Sequence, residues 1–184
     1  MPGVIGVTGR SGSGKTSLLT QLIPALTARG LAVGAVKHSS HGFQADRPGK
    51  DSCRLYEAGA QAVALVSRDQ RATFTRLHTE RDAEPSLADA LMALPEGLDL
   101  VLAEGFSWEP IPRLVVVPES EAPLPQHFEQ GLVIGIVHVP KPAPGQKLVI
   151  SRPLIEALAL DLAGLAHEWR RTFECTPTTS VARA

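Results

Sequence analysis

An α/β domain, with a mostly parallel sheet and helices on both faces, is predicted by three features of this 184-residue chain. The first is alternation: short apolar, β-branched runs are separated by segments with helical spacing, the pattern of strands joined by crossover helices. The second is the character of the runs, since Val4 to Thr8 and Leu98 to Ala103 are apolar at most positions, as strands covered on both faces require. The third is "GRSGSGKT", Gly9 to Thr16, which follows the first strand directly and precedes Leu18, Leu19, Leu22, Ile23 and Leu26, a helical repeat.

The elements follow in order. Pro24 removes the hydrogen bond to Thr20 and is expected to kink or shorten the first helix. Arg29-Gly30 stops that helix, and Leu31 to Val36 reads as the second strand. A loop, "KHSSHGFQADRPG" from Lys37 to Gly49, leads into a short helix from about Lys50 to Gly59. Gln61 to Ser67 and Ala72 to Leu77 read as a hairpin around a polar turn. Pro85 opens a helix through Leu94, and Leu98 to Ala103, Leu114 to Val117 and Leu132 to Val139 are further strands. Lys147 to Ile150 is expected as a short edge strand, and Pro153 fits the first turn of a last helix running to about Arg171. The length fits a single domain over residues 1–171, with a small, polar tail, 172–184, expected to be flexible.

A net charge of -1 and a pI near 6.6 give no overall electrostatic footprint for nucleic acid, which is not the expected partner. No apolar stretch approaches the roughly 18 residues of a membrane span, and the N-terminus lacks a basic segment with a cleavage site. A cytoplasmic protein is expected, with no membrane partner. Cys53 and Cys175 have neither metal-ligand spacing nor a disulfide framework.

"GRSGSGKT" fits the P-loop pattern G-x-x-x-x-G-K-[ST], in which backbone N–H groups of a glycine-rich turn cradle phosphate at a helix N-terminus. Gly9, Ser11 and Ser13 belong to the turn, while Gly12 and Gly14 remove side chains where phosphate comes close. Lys15 is placed to reach the β and γ phosphates, and the Thr16 hydroxyl to hold Mg2+. In parallel α/β sheets ligands bind at the carboxyl ends of the strands. Glu104, closing "LDLVLAEGF", is therefore the candidate second Mg2+ ligand, and Asp99, at the start of that strand, is expected to be a capping or surface residue. The loop after the second strand offers Asp46, Lys50, Asp51 and Ser52, the last two in the first turn of a helix.

Taken together, "GRSGSGKT", "VKHSSHGFQADRPGKDSCRLYEAGA" and "LVLAEGFSWEPIPR" resemble, in this order and spacing, the molybdopterin-guanine dinucleotide biosynthesis protein B (MobB) family. The "DRPGKDS" core followed by "EAGA" is the specific part, and the resemblance covers Val4 to about Val117. It implies a small GTP-binding protein, usually a homodimer and at most a slow GTPase, that assists a nucleotidyltransferase in joining GMP to molybdopterin. By position it implies Gly12, Gly14, Lys15, Thr16 and Ser17 as phosphate and Mg2+ residues, Glu104 completing the metal shell, and Asp46 to Ser52 beside the nucleotide.

The chain departs from the family at three points. It has no asparagine and so no Asn-Lys-x-Asp guanine-reading loop. Between Asp99 and Asp161 it has no aspartate, with only His138 near the place where the family carries one, so weak base discrimination is expected. Ser107 stands where the family has lysine after "EGF". Arg10 resembles the cation of deviant P-loops in dimeric ATPases, which reaches across to the partner's phosphates, and is a candidate catalytic residue with Lys15 and Glu104. The competing readings are a P-loop small-molecule kinase, which needs a second substrate pocket, and a nucleotide-gated metal chaperone using His38 and His41.

Overall fold

The structure is a computed structural model that describes residues 2–44, 46–77, 85–140, 142 and 147–174, with side chains of the last helix as far as Trp169. In chain order the elements are β1 (Gly3–Thr8), α1 (Lys15–Thr27), β2 (Val33–Lys37), α2 (Asp51–Glu57), β3 (Ala62–Val66), β4 (Arg71–Thr75), α3 (Leu87–Met92), β5 (Leu100–Glu104), β6 (Arg113–Pro118), β7 (Val133–Val139) and α4 (Arg152–Glu174). They form two compact units, residues 1–38 with 86–184, and residues 39–85. Most of the expected flexible tail, residues 175–184, lies outside the described residues.

The first unit is built on a five-stranded sheet in the order β2-β5-β1-β6-β7, every neighbouring pair parallel. Side-chain alternation sorts its residues onto two faces. Ile5, Val7, Leu100, Leu102, Leu114 and Val116 meet Leu18, Leu22 and Leu26 of α1 and Ile155, Ala159 and Leu162 of α4 in one core. On the opposite face Ala103, Val4 and Val36 pack with Phe106 and with Leu87, Ala90 and Leu91 of α3. The small side chains Ala159, Ala163 and Ala166 give α4 a close approach to the sheet and to α1. The second face is covered more thinly, by one six-residue helix, whose N-terminus is capped by the Ser86 side chain accepting from Asp89 N–H.

Three expectations are corrected. The first helix is not cut short at Pro24; it runs to Thr27, held by buried Leu22 and Leu26 on either side of the proline. Residues 147–150 form no strand, because the Gln21 side chain takes their backbone groups: Ile150 N–H donates to its Oε1 at 3.0 Å and its Nε2 donates to Leu148 O at 3.3 Å. Asp99 caps a backbone N–H, one of the two roles expected of it, but it does so from within the protein and not at the surface; it is 4% exposed and accepts from Ala32 N–H at 2.8 Å, fixing the entry into β2.

The second unit holds α2 and the hairpin β3-β4, paired antiparallel from Ala62↔Thr75 to Val66↔Arg71 and forming a sheet of its own. Its turn is closed by Ser67 and Gln70, and Arg76 ties the hairpin to α2 by donating to Ala60 O and Tyr56 O with its guanidinium over the Tyr56 ring.

Leu18 is fully buried between α1 and the sheet, whereas Leu160 is exposed on α4. Leu18→Ala should cost about 2–5 kcal/mol in denaturant unfolding, and Leu160→Ala no more than about 0.5 kcal/mol. Equal costs would contradict this assignment of the core.

Candidate functional site

The carboxyl ends of the parallel strands converge on the loop between β1 and α1. Gly9 has φ 143°, and a Cβ there would lie 2.3 Å from Val116 O, so only glycine passes between the loop and β6. Ser13 N–H donates to Arg10 O at 3.1 Å and closes the turn, and the buried Ser13 Oγ has no partner among the described residues. Gly14 has φ 94°, and a Cβ there would meet Leu148 Cδ2 at 2.5 Å. α1 starts at Lys15 with no side-chain cap and no acidic residue in its first turn, which leaves its N-terminal amides to an anion.

Lys15 Nζ donates to Gly9 O at 2.9 Å and Arg10 O at 2.7 Å, folding the ammonium over the loop. Burial lowers its pKa, Glu104 opposes that shift, and Lys37 adds to it. The Thr16 hydroxyl donates to both Glu104 carboxylate oxygens, at 3.1 and 3.0 Å. Glu104 ends β5 and is 6% exposed; its charge is met by Lys37 Nζ at 3.1 Å. A hydroxyl and a carboxylate at one point beside a phosphate loop are hard oxygen donors of the kind Mg2+ takes when phosphates supply further ligands. The residues present fit that ion.

A cavity of about 870 Å3 runs from this loop past Thr20 to Pro118, Glu121, Val139, Pro140 and Lys147. Its far wall is apolar, while Glu121 and Lys147 are its charged groups there. Arg10 reaches across the mouth to Glu121, Nη1 to Oε2 3.5 Å, an exposed and therefore weak pair.

The family model described as MobB, molybdopterin guanine dinucleotide synthesis protein B, matches residues 4–138. This chain belongs to the MobB family. A molybdopterin-guanine dinucleotide biosynthesis adapter protein of Haemophilus influenzae is 38% identical over 173 residues, which are 92% of this chain and 90% of that one. The protein so named in Escherichia coli is 39% identical over 118 residues, 64% of this chain and 67% of that one. Among solved structures, a molybdopterin-guanine biosynthesis protein B aligns with a TM-score of 0.65 at 29% identity, covering 89% of this chain and 99% of that chain. A MobB homologue of Bacillus stearothermophilus aligns at 0.59 and 25%, covering 90% and 98%. The α/β fold with a phosphate loop at the head of α1 is the MobB fold.

In this MobB chain the structure brings together Gly9, Arg10, Ser11, Gly12, Ser13, Gly14, Lys15, Thr16, Ser17 and Glu104. Asp46, Lys50, Asp51 and Ser52 belong to the second unit. There Asp46 accepts from the Ser52 hydroxyl and from Arg47 N–H, which lowers its pKa, and Asp51 is exposed beside Arg54. His38 packs against the rings of Phe106 and Trp108, centroids 6.0 and 4.9 Å away. Val139 and Pro140, rather than His138, line the large cavity.

Sequence reading missed Lys37, Glu121 and Lys147. Lys37 lies one residue beyond the strand end expected from the apolar pattern, and only the register Lys37↔Glu104 shows that it faces the carboxylate. Glu121 is reached by a turn after β6, so nothing local in "PESEAP" marks it.

A triphosphate selects the charged form of Lys15, so the contribution of this ammonium is present below its pKa and lost as pH rises through it. Because burial lowers that pKa, affinity for Mg-nucleotide should begin to fall at a pH below the ordinary lysine value of 10.5, after phosphate ionisation at about pH 6 is complete. Titration with a fluorescent GTP analogue at rising pH should show this alkaline limb, and Lys15→Ala should abolish both limb and binding. Undiminished affinity in the variant would overturn the assignment.

Proposed function

We propose that this protein is a GTP-binding adapter of molybdenum cofactor biosynthesis, working as a cytoplasmic homodimer that assists a nucleotidyltransferase in converting molybdopterin to molybdopterin guanine dinucleotide. Membership of the MobB family supports the pathway. The observation that carries the nucleotide is the contact of Thr16 with Glu104 beside an uncapped helix N-terminus. In this reading Lys15 and the loop amides bind the β and γ phosphates, and Thr16 and Glu104 hold Mg2+, which when bound neutralises developing charge on the phosphates. Arg10, freed from its weak pair with Glu121, contacts the γ phosphate, in the same subunit or across the dimer.

Glu104→Gln preserves shape and removes charge. It should hold nucleotide within about threefold of wild type while Mg2+-dependent hydrolysis falls about 10- to 100-fold, the worth of a charged contact. Equal loss of binding and turnover would make Glu104 a structural residue.

The cavity also supports guanine over adenine. Guanine presents N1–H and the N2 amino group on one edge, two donors that suit the Glu121 carboxylate, whereas adenine presents an acceptor at N1. Losing a charged acceptor costs about 1.5–3 kcal/mol. Glu121→Gln should therefore lower the preference for GTP over ATP by about tenfold or more and improve binding of XTP, whose C2 carbonyl accepts from the new amide. Competition titrations decide; unchanged ratios would place base recognition elsewhere.

A further inference from the structure

Arg113 is a buried cation that the nucleotide reading does not use. It opens β6, paired with Gly6 of β1, and is 1% exposed. Nη1 donates to Ser107 O at 2.8 Å and Nη2 to Glu109 O, but among the described residues no carboxylate pairs with the guanidinium and nothing partners its Nε. Burial alone depresses its pKa. Taking a charge out of water without a counter-charge is costly, and an apolar residue would open a buried strand without that penalty. Two carbonyls offset only part of it.

Arg113 lines a separate cavity of about 360 Å3, within the range of small-molecule sites, about 300–1,000 Å3. Gly9 and Arg10 form one wall, so Arg10 borders both this cavity and the large one. His127 lines it too and is 7% exposed. Its Nδ1 accepts from Leu124 N–H at 3.1 Å, and burial lowers its pKa, so the neutral ring carries its proton on Nε2 as a donor. Trp108 adds a planar apolar surface and Gln126 an amide, while Glu129, exposed, is the one acid in the lining. Two arginines against one glutamate leave the site positive.

The geometry points to a second ligand site beside the phosphate loop, taking a small aromatic oxyanion whose ring lies on Trp108 and whose charged group completes Arg113 and His127. This deepens the adapter reading, on which it rests for the second ligand's role: the phosphate loop holds the nucleotide, and a phosphate or carboxylate carried on a planar ring sits on the other side of Gly9 and Arg10.

Calorimetric titration of the full chain tests this, with and without saturating Mg-GTP. The probes are phenyl phosphate, pterin-6-carboxylate, neutral 6-methylpterin and inorganic phosphate. At least one aromatic oxyanion should bind about tenfold tighter than the neutral ring or the bare ion, with GTP present; which one binds tells phosphate from carboxylate. His127→Phe and Arg113→Gln should each weaken it about tenfold while GTP affinity stays within twofold. If Arg113→Gln fails to fold by circular dichroism, His127→Phe decides alone. Oxyanions binding no tighter than the neutral ring, or binding untouched by the variants, overturns the site. Failure of wild type to bind GTP in the same experiment would instead remove the nucleotide reading, while the oxyanion titration would still report on this cavity.

Discussion

The register of β2, β5 and β1 is the constraint on which the site depends. Parallel pairing sets Lys37 opposite Glu104 and Glu104 opposite Val7, so the last residue of a wholly buried strand emerges level with the start of the phosphate loop. A carboxylate only 6% exposed must find partners, and Thr16 and Lys37 are the groups that this register supplies. A slip of one residue in β5 would turn Glu104 to the other face of the sheet and put Ala103 in its place. The apolar packing that fixes the register, Leu100 and Leu102 toward α1 and α4, is thus what positions the carboxylate.

The loop is shaped by what surrounds it. Gly9 is squeezed by the backbone of β6, and Gly14 by Leu148, a residue held in place through the Gln21 bridge from α1. The segment expected as a short edge strand serves instead as a wall of the large cavity beside the loop. Core and loop share these residues, so close packing alone already requires glycine at both positions.

Local motifs made the loop and the carboxylate beside it readable from sequence. "GRSGSGKT" marks its own geometry, and Glu104 is found by the rule that ligands gather at strand ends. Residues whose role arises from pairing between distant segments left no such mark. Lys37 needs the β2-β5 register, Glu121 needs the turn after β6, and Arg113 looks like the residue before a strand when it is the buried first residue of one. Asp99 was legible as a cap but not as a buried one, because its partner Ala32 lies 67 positions away. The hairpin could be read from two strand-like runs around a polar turn, yet local pattern does not say whether a hairpin joins the main sheet, and this one forms its own.

Family membership gives the pathway, while the chain's own contacts give the case for a metal-dependent triphosphate site. That case reduces to one coupling: if Thr16, Glu104 and the loop form a shared site, metal and triphosphate must each tighten the other by the same factor. Electron paramagnetic resonance titration of Mn2+, standing in for Mg2+, measures this directly in the presence of GTP, of GDP and of no nucleotide. The account predicts Mn2+ binding to the protein with GTP at least about tenfold tighter than to the protein alone and resonance broadening from protein-bound triphosphate. Mn2+ affinity indifferent to GTP, with GTP binding equally well without metal, would contradict it.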